Sequence, residues 1–408
     1  MKYNYQDIAV RVKEGQAEIE NRHMFTPLSA FRCVAKLERD GQEVERKELA
    51  VDAAPLSSVT VKLPFEKAAL PGEYAATVSF LLKEDTPWAP AGYETAFGQG
   101  VWTVAGKQAA EAGEALAVTD SPWNITVSGT SFRMMFSRLM GQLVSCRYGD
   151  REYMIGPLMP NFWRAPTNND YGNGMPARYA QWKIASLYAS AAGGTEAGKK
   201  NAKVKPVRNE DGSVSFTMAY ALPTVPAAEC RVTYRVQPSG RLDVQLDYDP
   251  VEGLGAPPEF GMTMKMDADY HRVRFYGLGP EENYIDRREG ARLGIWNYRA
   301  EENVTPYLLP QECGNRTGVR WAEVTDKSGR GLKLTLNGGE FSALPCTPHE
   351  LENAAHGFEL PPMNYTVLKM SARQMGVGGD DSWGARTHEE YLLDADKPLV
   401  FRFSLEGI

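Results

Sequence analysis

The sequence predicts an all-β protein, and three observations carry that prediction. Apolar residues alternate with polar ones along most of the chain, turn dipeptides separate the alternating runs, and no repeat or heptad pattern competes with them. Ile8, Val10 and Val12 form the first run, and Phe31, Cys33, Ala35 and Leu37 form a second that ends at an Asp40-Gly41 turn. Val59-Val61-Leu63 and Tyr74-Ala76-Val78-Phe80-Leu82 follow. Such runs suit antiparallel strands with one buried face. About seven of them within roughly 100 residues suit an immunoglobulin-like or fibronectin-like sandwich, here expected over 1–106.

Residues 107–118 close an alanine- and glycine-rich stretch with few large apolar side chains, which reads as a linker. Strand signals resume at Trp123–Val127 and run nearly to the end. Cys230–Val236, a Pro238-Ser239-Gly240 turn and Leu242–Leu246 make a hairpin, and Leu399–Leu405 alternates again. A region of this length, 119–408, needs two large packed sheets. Helix is expected only locally, at Met175–Leu187.

Composition narrows the function classes. Of 408 residues 43% are hydrophobic and 24% charged, as in an ordinary globular chain. The net charge of −7 argues against nucleic acid or an anionic membrane as the main partner. Five cysteines without CxxC spacing suit a reducing compartment and supply no zinc motif. The N-terminal stretch has no apolar signal core, and no apolar run approaches about 18 residues, so a cytoplasmic location is expected.

Familiar catalytic motifs fail on inspection. Gly193 to Lys200 imitates a phosphate-binding loop but has Lys200 where Ser or Thr must hold magnesium, and its polar surroundings read as a loop. His349-Glu350 and His388-Glu389 lack the second histidine of a zinc helix, and no G-x-S-x-G elbow occurs. Asp380 and Asp381 are adjacent. Glycosidase carboxylates must face each other across the bond, so this pair is a poor dyad.

Three polar clusters remain, a polar loop at 160–174 (PNFWRAPTNNDYGNG) and the stretches 275–287 (FYGLGPEENYIDR) and 305–321 (TPYLLPQECGNRTGVRW). A fourth stretch, GVGGDDSW, begins at Gly376. Carboxylates, amides and arginines beside aromatic rings suit a sugar, whose apolar face stacks on a ring while its hydroxyls take polar partners. The same residues equally suit arginine–carboxylate braces under long loops.

Taken in order, these clusters resemble the C-terminal part of the β-galactosidases of glycoside hydrolase family 2. Trp88-x-x-Ala91-Gly92 with Gln99 and Trp102 resembles the last strands of the family's second immunoglobulin-like domain, and Phe136–Leu143 resembles the entry strands of the next. Arg164-Ala165-Pro166-x-x-Asn169-Asp170-x-Gly172 comes next, then Gly277–Pro280 with Glu282-Asn283-Tyr284-x-Asp286-Arg287. Thr305-Pro306-Tyr307 with Glu312 and Arg316, and finally Gly378–Trp383, complete the series over nearly the whole chain. Asn168 and Cys313 depart from the family's usual Asp and Asn.

The resemblance implies an immunoglobulin-like sandwich followed by a large galactose-mutarotase-like supersandwich. It implies a partner that bears the catalytic TIM barrel, either a domain or a large subunit, within a homo- or hetero-oligomer. The family's catalytic glutamates, magnesium and sodium lie on that barrel, so no catalytic or metal-binding residue is expected here. Trp383, Asn169, Asp170 and Gly172 are expected at the β-galactoside, with Arg164, Asp380, Asp381, Glu282, Asn283, Glu312 and Arg316 as pocket supports. The alternatives are a free-standing carbohydrate-binding or mutarotase-like protein and a purely structural pair of sandwiches.

Overall fold

Alternation along the chain becomes antiparallel pairing in a computed structural model that describes residues 2–65, 70–106, 115–191, 195–381 and 383–408. Two compact units emerge, Met1–Ala109 with Glu289–Ile295, and Ala110–Arg288 with Trp296–Ile408.

In the first unit, Ile8–Lys13, Gln16–Asn21 and Ser57–Lys62 make one sheet. Gln42–Leu49, Phe31–Arg39, Gly72–Leu82 and Glu94–Val104 make the other, in that order. The inward residues of both sheets, among them Ile8, Val10, Ile19, Cys33, Ala35, Leu37, Val78 and Phe80, form one buried core. The Asp40-Gly41 turn has φ of 50° and 77°, the paired positive values of a two-residue hairpin loop. Gly98 and Gly100 let the last strand approach the first, since a Cβ at Gly98 would lie 2.2 Å from the Val10 carbonyl oxygen.

Residues 289–295 correct the expectation of two uninterrupted domains. Arg292 grips Glu94 with a two-pronged fork at 2.6 and 3.1 Å, and the Gln99 amide bonds both backbone groups of Leu293. Pairing across so many residues leaves no local sequence signal.

The second unit holds a five-stranded and a twelve-stranded sheet among the described residues. The smaller runs Arg151–Glu152, Gln142–Tyr148, Phe132–Ser137, Asn124–Ser128, Ala117–Asp120. Residues 107–114 of the expected linker lie outside the described residues. Its last two residues are already strand, because Val118 pairs with Val127 and packs on the core.

The larger sheet begins Gly156–Asn161, Glu259–Asp267, Tyr365–Gln374, Gly331–Leu344, Leu399–Gly407. It continues through Leu242–Tyr248, Ala228–Val236, Val214–Leu222 and Val207–Arg208. Arg272–Gly279, Arg292–Arg299 and Arg316–Thr325 branch from it, the middle one belonging to this unit only from Trp296 onward. The expected hairpin is present, with Val236 opposite Leu242 and Gly240 at φ 89° in its turn. The all-β class expected from periodicity is the class observed.

Three helical details differ from the sequence reading. The 160–174 cluster is not all loop, because Thr167 and Asp170 cap a helix at Asn168–Gly172 reciprocally. The helix expected at Met175–Leu187 breaks at Tyr179 into Met175–Arg178 and Ala180–Tyr188. Gly193 lies outside the described residues, but Gly198 to Lys200 sit in a short helix, Glu196–Ala202, capped by the Thr195 hydroxyl, and not in a loop.

Candidate functional site

The sequence clusters converge within the second unit on a polar lattice (Arg164, Asp170, Gly376–Gly378). Arg164 is fully buried, and its guanidinium donates to both Asp170 oxygens, at 2.6 and 3.3 Å. The same Asp170 carboxylate accepts the Thr167 N–H at 2.8 Å and the Thr167 hydroxyl at 3.0 Å, which fixes the helix start. Buried charge of this kind is tolerated only when paired and hydrogen-bonded.

This lattice holds the glycine-rich stretch by its backbone. Arg164 Nη2 donates to the Gly376 carbonyl at 3.1 Å, and Asn169 Nδ2 to the Val377 carbonyl at 3.2 Å. The Asp286 carboxylate accepts the Gly378 N–H at 2.7 Å, while the Thr387 hydroxyl bonds the carbonyls of Gly376 and Gly378. Gly376 fits closely there: a Cβ would fall 2.6 Å from an Asp286 oxygen and would push that carboxylate aside. Asn173 reaches the same loop at the Ala385 carbonyl, 3.5 Å away. Gly172 ends its helix, with its carbonyl oxygen 3.8 Å from where a Cβ of Gly384 would stand.

Beyond these anchors the loop turns outward. The Asp381 carboxylate accepts the N–H groups of Trp383 at 2.8 Å and Ala385 at 3.1 Å, an Asx-type turn. Those bonds hold its pKa below the ordinary carboxylate range. Asp380 meets His388 at 3.0 Å and raises the imidazole's pKa. Trp383 carries 86% of its maximal exposure. The two aspartates therefore serve different partners and do not converge on one point; Ser382 lies outside the described residues.

The 282–316 supports form a second lattice. Glu282 accepts from the Tyr307 hydroxyl (2.6 Å), the Thr305 hydroxyl (2.8 Å), the Gly314 N–H (2.7 Å) and Arg287 (2.6 Å). Burial would raise this carboxyl's pKa, but those bonds outweigh it and hold it below its ordinary value. Asn283 donates to the Leu278 and Glu281 carbonyls and accepts from the Thr317 N–H and hydroxyl. Arg316 is buried, donates to the Pro280 carbonyl at 3.0 Å and lies 5.1 Å from the Tyr298 ring centre. Glu312 is buried and accepts from Lys369 at 2.8 Å; Lys369 also meets buried Glu259 at 3.2 Å. His271 pairs with Glu301 at 3.1 Å.

Sequence reasoning missed Lys369, Glu259 and Glu340 and passed over Asp286 inside its own motif. Lys369 left a signal, a charged residue at a buried position of an apolar strand, YTVLKMSARQ. Glu340 accepts from Asn315 at 3.0 Å, and burial beside Glu259 pushes its carboxyl up to about 7. Among the described residues no group of three or more His, Cys, Asp or Glu has the proximity to hold a metal ion.

A small cleft of about 150 Å³ opens beside the helix at Asn168, lined by Asn168, Asn169, Tyr284, Arg287, Tyr307, Gln311 and Glu312 among others. Trp383 is not among its lining residues.

Comparison of the sequence with known proteins identifies its family. The family described as "Beta galactosidase small chain" matches residues 128–405, and "Beta-galactosidase, domain 4" matches 17–103. A β-galactosidase of Priestia megaterium is 36% identical over 406 residues, covering 98% of this chain and 38% of that protein. The chain thus spans about two-fifths of the length of the full-size relatives it matches. A β-galactosidase small subunit of Latilactobacillus sakei is 31% identical, over 71% of this chain and 97% of that one. Among solved structures, a putative aldose 1-epimerase of Escherichia coli K12 is 10% identical at a TM-score of 0.37, over 72% of this chain and 99% of its own. With the small-chain model matched from residue 128 to 405 and the sakei small subunit covered almost end to end, this chain belongs to the β-galactosidase small chain family.

Proposed function

We propose that this chain is the C-terminal, non-barrel part of a β-galactosidase that hydrolyses terminal β-D-galactosides. One observation carries the reading. An exposed tryptophan ring, Trp383, stands on a loop whose base is tied by its backbone to the buried Arg164–Asp170 pair. An exposed ring on a braced loop suits stacking against the apolar face of a sugar. Asn169, Asp170 and Gly172 shape the neighbouring wall, and the remaining supports keep the loop bases in register.

Bond breaking falls to a partner in this reading. A retaining glycosidase of family 2 uses two carboxylates about 5 to 5.5 Å apart, one as nucleophile and one as acid and base. Those residues, with magnesium and sodium, are assigned to a TIM barrel on another domain or on a large subunit, in a cytoplasmic homo- or hetero-oligomer. When bound there, the metals would stabilise charge near the substrate; no residue of this chain is assigned to them.

The test is an assay on a chromogenic β-galactoside. The chain alone should show no turnover, and the barrel-bearing partner should gain turnover when the chain is added. In that assembled enzyme Trp383→Ala should raise KM by about tenfold, the scale of one lost ring contact. Turnover by the chain alone, or full activity of the assembled variant, would overturn the reading.

A further inference from the structure

We infer that the cleft beside Asn168 is a binding site for a neutral monosaccharide; it shares Asn169 with the wall proposed for the galactoside but does not include Trp383. The cleft has an unsatisfied group in its wall. Tyr284 is fully buried, and its hydroxyl has no hydrogen-bond partner among the described residues. A buried phenol without a partner costs free energy until something in the cleft accepts or donates to it. Burial, aided by the negative Glu312 nearby, raises the phenol's pKa well above its ordinary value, so it remains a donor at neutral pH.

The other lining groups set the ligand's chemistry. Glu312 is balanced by Lys369 and Arg287 by Glu282, so the walls carry both signs of charge. An anion would meet the Glu312 carboxylate and a cation the Arg287 guanidinium, which disfavours either. Asn168 adds an exposed amide. The Gln311 amide is fixed by accepting the Asn168 N–H and donating to the Leu309 carbonyl, which leaves it one further N–H and one lone pair. The Tyr307 ring, held by its hydroxyl to Glu282 and Arg287, adds an apolar flank. Closely spaced donors and acceptors of no net charge, in a cleft smaller than the ~300 Å³ of drug-sized sites, match the hydroxyls of one pyranose ring. The lattice around Glu282 and Asp170 fixes these walls before any ligand arrives, which lowers the cost of ordering on binding.

This inference requires neither the barrel nor Trp383, so its test separates it from the function proposed above. The 408-residue chain is titrated with D-galactose, followed by ligand-observed NMR and by the thermal unfolding midpoint, with glycerol as a control. Saturable binding of galactose and a rise in the midpoint are expected, and neither with glycerol. Tyr284→Phe should weaken binding by about tenfold, the scale of one buried hydrogen bond. Asn168→Trp alters an exposed rim residue, so folding should survive; it should block the cleft and abolish binding. Trp383→Ala should leave binding unchanged. Absence of saturable binding, binding that survives Asn168→Trp, or binding lost with Trp383→Ala would each overturn the assignment.

Discussion

Two neighbouring regions of the second unit solve opposite problems with the same residue types. Around Arg164 and Asp170, charges are withdrawn from water and every anchor is a side chain gripping a helix start or a distant backbone. Around Asp380 and Asp381, the carboxylates stay in solvent and hold only their own turn and His388. Rigidity at the exposed ring is therefore borrowed from below. The buried lattice sets where the loop begins and ends, and the surface aspartates shape only its tip.

That contrast breaks most sharply when one partner of a buried pair is removed. Asp170→Ala leaves the Arg164 guanidinium buried without its counter-charge and strips the cap from the helix at Asn168. A loss of about 3–5 kcal/mol is expected in denaturant unfolding. Lys369→Met should cost a similar amount, because it strands Glu259 and Glu312 together. A loss below about 1 kcal/mol for either would show that the lattice is not what holds the loops.

Acidity sharpens the comparison inside the buried region itself. Glu340 has its pKa raised from 4.5 to about 7 by burial and by Glu259. The folded state keeps that proton after the unfolded state has lost it, so stability falls as pH rises from about 4.5 to 7. The fall amounts to roughly 3 kcal/mol. Glu340→Gln should flatten this part of the stability profile, read from denaturation midpoints at several pH values. Glu282 works in the other direction. Its lowered pKa gives stability that is present above the unfolded value and lost as pH falls through the folded one.

How much of this was legible in the sequence depends on the distance between partners. Strand alternation at Leu242, Val244 and Leu246 reports a buried face directly, and the Asp40-Gly41 turn reports its own geometry. The cap formed by Thr167 and Asp170 was also legible, since the spacing that closes it lies within four residues, yet the polar composition of 160–174 hid it. Arg164 and Gly376 lie 212 positions apart, and Asp286 and Gly378 lie 92 apart. No local pattern encodes such pairings. The clusters could be found by residue type, but which charges are buried and which remain in water is decided by tertiary packing.

The smallest expected effect lies at the loop tip. Asp381→Ala removes the acceptor of the Trp383 and Ala385 N–H groups without uncovering any buried charge. The global unfolding midpoint should stay where it is, while hydrogen exchange at the Trp383 and Ala385 amides accelerates. Strong acid, below the ordinary aspartate pKa of 3.8, should imitate the substitution in the unaltered protein. The carboxyl's pKa is lowered by bonds to the Trp383 and Ala385 amides, so those bonds are fully formed above the unfolded pKa and are lost as pH falls through the folded one. Exchange at these two amides should then gain a pH dependence, beyond that of exchange chemistry, that Asp381→Ala lacks. If Asp381→Ala instead lowered the midpoint as far as Asp170→Ala, the tip and its buried base would be one cooperative unit, and the division between them would fail.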